Sequence, residues 1–429
     1  MVVTMKLPST IKNLQPLTDL VDKLKDYELV LLNPNRNDSF DFHHFFITRL
    51  SEKMNELGFR TKTFSAGDKN FGKDIVSQFS NNKSIHFGIW FYDMHIGYHP
   101  RTQMNFFDLF DVPNYALMFD HVFPTWKFNR ILGLTENSTV ICAISDIEEE
   151  LRLLNNSVQK YQHIFFPCIT EEDIINNSPK MKDREIDLVI SWGIYKTKET
   201  YNDFRKQLRN DAKLLKFADN FYERIKRYDD IYHIQNFKMA LQDVYGVIPQ
   251  YNIPWSKAEQ ILLTIIDKID AITRTETRVS TLENLKKLPA QLKIAITADE
   301  GPQYHPNITY IGKQTQKDMQ KYFANSRFTL NYNPTYKAVL QERVTYAMSV
   351  GCIPIAYPDL FMRENFVHGE NIFFTRDFDN LDPEIFTKDD HELQTISDNA
   401  KHFVLDNYSL EKYCHILLNL FEKDVRKKL

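Results

Sequence analysis

The stretch "YELVLLNPNRNDSFDFHHFFITRLSEKMNELGFRTKTF" (27–64) limits the folds open to this chain more than any other. It runs from a short apolar segment through a polar loop into a helical-period pattern, then to Gly58 and a second β-rich run. Two strands joined by a crossover helix run parallel, so this unit predicts a parallel sheet with a right-handed connection. Further short runs follow: "SIHFGIWF" (84–91), "NYALMFD" (114–120), "STVICAIS" (138–145) and "HIFFPC" (163–168). They are apolar on consecutive positions, as in strands covered by helices on both faces.

After "TEEDIINNSPKMKDRE" the pattern restarts with "IDLVISWGIY" (186–195). A charged, helix-rich span follows, and then strands alternate with helices again: "LKIAIT" (292–297), "ITYIG" (308–312), "RFTLNYN" (327–333), "CIPIAYP" (352–358) and "NIFFTR" (371–376). A chain of 429 residues exceeds what one core serves. The expectation is an N-terminal doubly wound domain over 1–180 and a second over 181–405, with a helical insertion at about 199–288. The final helix, 406–429, is expected to pack back across the interface.

The formal charge of −4 comes from 53 basic and 57 acidic residues in alternation, a balance that gives no field for nucleic acid or an anionic membrane. No run approaches the length needed to span a bilayer, and the N-terminus reads as no export signal. Cys142, Cys168, Cys352 and Cys414 lie far apart in apolar runs without zinc spacing, and read as buried thiols of a reducing compartment. The expected location is the cytoplasm.

"QERVTYAMSVGCIPIAYPD" (341–359) is the most informative run of the second half. Leu340, Val344, Ala347 and Met348 share one helical face, and Gly351 supplies the left-handed residue that ends the helix before a buried strand. Glu342 and Arg343 stand at the head of that helix. In open α/β sheets ligands bind beyond the carboxyl ends of strands, where helix N-termini offer free N–H groups. Arg343 with those amides suits a diphosphate, and Glu342 suits vicinal hydroxyls. From spacing alone the pair fits a solvated helical face equally well.

The wider pattern resembles the C-terminal domain of GT-B-type glycosyltransferases, most closely the CgeB-like bacterial branch. There a "Y-x-G" strand end leads through a helix to an "LN-x-x-P" strand, an "ERV-x-x-AM-x-x-G" helix and an "EN-I-F-F" strand. The matching residues here are Tyr310, Gly312, Leu330, Asn331, Glu342, Arg343, Ala347, Met348, Gly351, Asn371 and Phe373. "REIDLVISWGIY", "TRTETRVSTLENL" and "NYALMFDHVFP" extend the likeness over most of 27–380.

The resemblance implies two Rossmann-like doubly wound α/β domains facing a central cleft. It implies transfer of a hexosyl-type sugar from a nucleotide-sugar donor to a glycan or protein hydroxyl. The donor residues it points to are Glu342, Arg343, Asn331, Asn333, Gly312, Lys313, Ser191, Trp192, Gly193 and Tyr346. Tyr346 stands where many members carry a ribose-binding Glu, and Gly-rich phosphate loops are missing among only 12 glycines.

In the first domain an acidic or imidazole base is wanted, and Asp120 and His121 end a strand at its carboxyl edge. Asn35, Arg36, Asn37 and His43 form the acceptor-side loop and helix start, with His44 beside them. "RDFDNLD" (376–382) has the Asp-x-Asp spacing of metal sites but reads as a surface acidic loop; no metal and no cofactor are expected. The alternative from another class is a non-catalytic partner or chaperone subunit of the same fold, which Tyr346 and the few glycines favour.

Overall fold

The computed structural model describes residues 14–33, 41–65, 67–89, 105–120, 133–144, 146–154, 157–192, 199–227, 231, 233–246, 256–332 and 340–426. The chain divides into two compact units. The first comprises Met1–Ile169, Gln250–Ser256 and Tyr408–Leu429, the second Thr170–Pro249 and Lys257–Asn407.

The first unit holds six parallel strands: β1 (Glu28–Asn33), β2 (Thr61–Ser65), β3 (Ser84–Ile89), β4 (Asn114–Met118), β5 (Ser138–Cys142) and β6 (Lys160–His163). Their order is β2-β1-β3-β4-β5-β6. The strands β3, β4 and β5 are buried along their whole length, which is why they are written as unbroken apolar runs.

The last strand departs from expectation. The apolar run after His163 adds no strand to the sheet, only one isolated bridge from Cys168 to Ser409; the edge strand is the alternating Lys160–His163 just before it. An edge strand is half solvated and needs few apolar residues. The apolar Ile164–Cys168 segment serves the core instead, with Phe165 edge-on to Tyr408 at 5.0 Å and Phe166 against Phe46 at 5.1 Å. The terminal helix Leu410–Arg426 closes this unit through Phe421, 4.7 Å from Tyr115, whose hydroxyl donates to Asp424 at 2.8 Å.

The second unit has strands β7 (Ile186–Ile190), β8 (Ile294–Ile296), β9 (Ile308–Tyr310), β10 (Ser326–Asn331), β11 (Ile353–Ala356) and β12 (Phe373–Phe374). They are parallel in the order β12-β11-β10-β7-β8-β9. Between β7 and β8 lie the helices Tyr201–Gln207, Ala212–Arg227, His233–Tyr245 and Lys257–Asn284. The end of the last of these buries Leu282 against the sheet residues Leu188, Ile190, Ile294 and Phe328.

Strand order reverses at the first strand of each unit: between β1 and β3 in one sheet, between β7 and β10 in the other. These are the switch points of doubly wound sheets, where flanking loops diverge and leave a crevice beyond the strand ends. The expected α/β architecture of two doubly wound domains is the one observed. Among the described residues no helix is long and apolar enough to cross a membrane.

Candidate functional site

At the switch point of the second sheet, β7 ends with Ile190 and continues into Ser191 and Trp192, while the neighbouring β10 ends at Asn331. Thr329 pairs with Val189 in this register, which sets Asn331 level with Ser191. The Thr297 hydroxyl donates to the carbonyls of Ile190 and Trp192, each at 3.3 Å, and pins the β7 end. Tyr357 donates its N–H to the Asn331 carbonyl at 3.2 Å and pins the β10 end.

The side chains at this edge are left open. Ser191 Oγ, Trp192 Nε1, Asn331 Oδ1 and Gln341 Oε1 are buried and find no hydrogen-bond partner among the described residues. Thr329 Oγ1, one pleat below Asn331, is in the same state. An unsatisfied buried polar atom costs about 1–3 kcal/mol, so a set of them on one edge is expensive unless something completes it. Their mixture of donors and acceptors suits a ligand rich in hydroxyl and amide groups.

The helix Glu342–Ser349 starts over this edge, with Gln341 at its N-cap making no capping bond through its side chain. Glu342 and Arg343 are its first two residues. Their side chains keep 36 % and 19 % of their exposure and pair at 3.7 Å, so Arg343 is recessed while its charge stays within reach of solvent. The free N–H groups of the first turn and the Arg343 guanidinium both favour an anion. Tyr346, one turn further on, is 2 % exposed and forms part of the buried helix face.

The base of this helix is built differently. Gly351 has φ +74°, its N–H donates to Met348 O at 2.9 Å, and Cys352 N–H donates to Ala347 O at 2.8 Å, the double bond of a Schellman end. Buried Arg184 donates to the carbonyls of Ser326, Val350 and Pro179 at 2.6, 2.7 and 3.2 Å. Burial lowers its pKa to about 10.

Gly312 turns the chain after β9 with φ +69° and donates its N–H to Ala298 O at 3.0 Å; Lys313 beyond it is exposed. Asn331, Ser191, Trp192, Glu342 and Arg343 thus gather at one edge, and Gly312 ends a strand two places away. Gly193 and Asn333, expected there as well, lie outside the described residues.

The Asp-x-Asp pair has a structural use. Asp377 accepts from the backbone N–H of Asp379 and Asn380 at 3.0 and 3.1 Å, and Asp379 accepts from Ser280 Oγ at 2.9 Å. Asp377 is thereby tied into its own loop, and Asp379 to the helix Lys257–Asn284. Among the described residues no group of three or more His, Cys, Asp or Glu side chains is placed to hold a metal ion.

In the first unit, His43 opens the helix Phe42–Glu56 and is 3 % exposed. Its ring stacks on Phe119 at 5.7 Å, the residue before Asp120, so the helix start and the end of β4 meet. Asp120 itself is half-buried. Asn33, which ends β1, has a buried Oδ1 with no partner among the described residues. Asn35, Arg36, Asn37 and His121 lie outside the described residues.

Asn33, Thr329 and Gln341 were not singled out from the sequence. The signal that would have found Asn33 is its position as the polar residue closing an apolar strand, the feature that pointed to Asn331. Thr329 is indistinguishable from an ordinary β-branched strand residue, and Gln341 from a helix-leading polar one.

Comparison with known proteins adds three findings. A family model described as "Glycosyl transferase-like" matches residues 274–419, which carry β8 through β12 and the Glu342 helix. A sucrose-phosphate synthase from Thermosynechococcus elongatus shares the fold at a TM-score of 0.50 and 10% identity, covering 94% of this chain and 98% of that one. The Anabaena protein HepE, solved in complex with UDP-glucose, superposes at a TM-score of 0.45 and 9% identity over 94% of this chain and 100% of its own. No curated protein matches the sequence.

Proposed function

We propose that this chain is a glycosyltransferase that takes a nucleotide-sugar donor at the carboxyl edge of its second sheet. The observation that carries the reading is the set of buried polar atoms at the β7 and β10 switch point that have no partner among the described residues, inside and beside the segment that matches a glycosyl transferase-like domain. Arg343 and the N–H groups at the head of its helix hold the diphosphate. Glu342, Asn331, Ser191 and Trp192 take the sugar and ribose hydroxyls. Tyr346 supports this helix from its buried face rather than receiving ribose.

The finer reading is hexosyl transfer to a glycan or protein hydroxyl, with Asp120 as the general base that accepts the acceptor's proton. Charge on the leaving diphosphate is met by Arg343 and the helix dipole, so we propose that the reaction runs without a metal ion. The CgeB-like bacterial branch and a cytoplasmic location complete the proposal; four buried cysteines outside any disulfide support a reducing compartment.

The test is a thermal-shift panel of nucleoside diphosphate sugars on the full chain. A bound donor at a hundred times its dissociation constant adds about 2.7 kcal/mol of stability. Arg343→Ala should weaken nucleoside diphosphate binding by about 1.5–3 kcal/mol, the worth of a charge-assisted hydrogen bond. If no nucleotide or nucleotide sugar shifts the transition, the transferase reading fails.

A further inference from the structure

The helical segment between β7 and β8 has a cleft of its own, about 400 Å³ in volume. Its walls come from the helices Tyr201–Gln207, Ala212–Arg227 and Lys257–Asn284. The rings of Tyr201 and Tyr222 stack 3.7 Å apart and 5° from parallel beneath it. At 7% and 8% exposure they offer little ring face to a ligand; they fix the polar groups around them.

Tyr201 donates its hydroxyl to Asp219 at 2.9 Å, and Tyr222 donates to Glu276 at 2.6 Å. Arg205 clamps Asp219 through Nε and Nη2 at 2.6 and 2.9 Å, and the Tyr201 N–H donates to Glu276 at 3.2 Å. Burial, reinforced by the adjoining carboxylates, pushes both phenols above their ordinary range, so they remain donors. On the rim, exposed Asn202 and Glu223 have no partner among the described residues.

This inventory narrows the ligand. A carboxylate has about four acceptor sites, and those of Asp219 and Glu276 are only partly used by the bonds above. Acidic Asp219, Glu223 and Glu276 are opposed by Arg205 and by Lys226, which donates to the Tyr222 hydroxyl at 2.9 Å. A strongly charged ligand would have to break these pairs, and an apolar one would leave the polar rim unsatisfied. A neutral ligand that donates and accepts at successive hydroxyls leaves the pairs intact and uses the spare sites. The volume falls within the range of small-molecule pockets, about 300–1,000 Å³.

We propose that this cleft is a second, neutral-saccharide-binding site, separate from the donor edge. Thr200 comes eight residues after Trp192 along the chain. Glu276 stands one turn before Ser280, whose hydroxyl reaches Asp379 in the loop leaving β12. Glu276 thus lies one turn from the helix residue that meets the loop leaving β12. A saccharide seated there is a sugar chain held by the helical segment, whatever the donor edge binds.

The experiment is isothermal titration of the full chain with maltotriose, cellotriose, chitotriose and mannotriose, with UDP and spermidine titrated in parallel. At least one saccharide should bind at one site. Glu276→Gln and the rim variant Glu223→Gln should each weaken it about tenfold or more with unchanged UDP affinity, and Glu223→Gln should leave thermal stability unchanged. The proposal is overturned if no saccharide of the panel binds, if binding is unchanged in both variants, or if spermidine competes for the site. UDP binding without saccharide binding would sink this proposal alone; the reverse would sink only the donor reading.

Discussion

Gly351→Ala should be among the most damaging single-methyl changes in the second unit. The residue sits at φ +74°, where a Cβ costs about 1–2 kcal/mol. The new methyl would also overlap Ser397 Oγ and lie 2.9 Å from Arg184 Nη2. Ser397 Oγ donates to Gly351 O at 2.7 Å and Arg184 Nη2 donates to Val350 O at 2.7 Å, so neither can retreat without giving up a buried bond. Displacing a hydrogen bond to a buried charge adds about 1.5–3 kcal/mol, for a total of about 3–5. For a unit of this size that lowers the melting temperature by about 8–15 °C. Gly369 is the control: it has φ +77° but no heavy atom within 4 Å of its would-be Cβ. Gly369→Ala should therefore cost only the backbone part, about 1–2 kcal/mol. Calorimetry of both variants decides the matter; equal losses at the two positions would refute the Arg184 and Ser397 clamp.

Two further outcomes are expected. Asp120→Asn should cut sugar transfer about 10²–10⁴-fold, the usual worth of a general base, while nucleotide affinity measured by titration stays within twofold. His86 is fully buried on β3, bonded through Nδ1 to Asn114 at 2.8 Å and stacked on Phe107 at 4.1 Å, and burial lowers its pKa to about 4. Because the unfolded imidazole takes a proton more readily, this contribution is full above pH ~6.5 and is lost as pH falls toward 4, up to about 3 kcal/mol. Denaturant titrations at pH 7.5 and 4.5 should show a smaller pH effect for His86→Gln than for the native chain; equal effects would refute it.

The sheets were legible because buried parallel strands cannot hide: every position of β4 and β11 is buried, so each reads as an apolar run whatever surrounds it. The same rule misled at 163–168, where Phe165 and Phe166 are covered by rings from the helices Leu410–Arg426 and Phe42–Glu56 rather than placed by strand pairing. Gly351 was legible because only a left-handed residue continues that helix into β11. The depth of Glu342 and Arg343 was not, since periodicity assigns a face but cannot say how deep it lies. Nor could it reveal that Ser191 Oγ, Asn331 Oδ1 and Gln341 Oε1 are buried without partners among the described residues: that depends on which strands become neighbours across the switch point.

The uneven distribution of hydrogen bonds along the second sheet is itself an argument about function. At its amino edge Arg184 satisfies three carbonyls from three separate segments, and the Schellman end closes the Glu342 helix above β11. At its carboxyl edge, five residues further along β10, side-chain atoms of the same strands are buried with no partner among the described residues. Each open atom costs stability, and a fold under selection for stability alone would exchange Asn331 or Ser191 for an apolar residue of similar size. A closed end that clamps the backbone allows the other end to stay open without collapsing onto itself. On the donor-site proposal, the cost of keeping such groups unpaired would be relieved by the bound ligand, and the clamp at Arg184 and Gly351 would hold their geometry fixed until then.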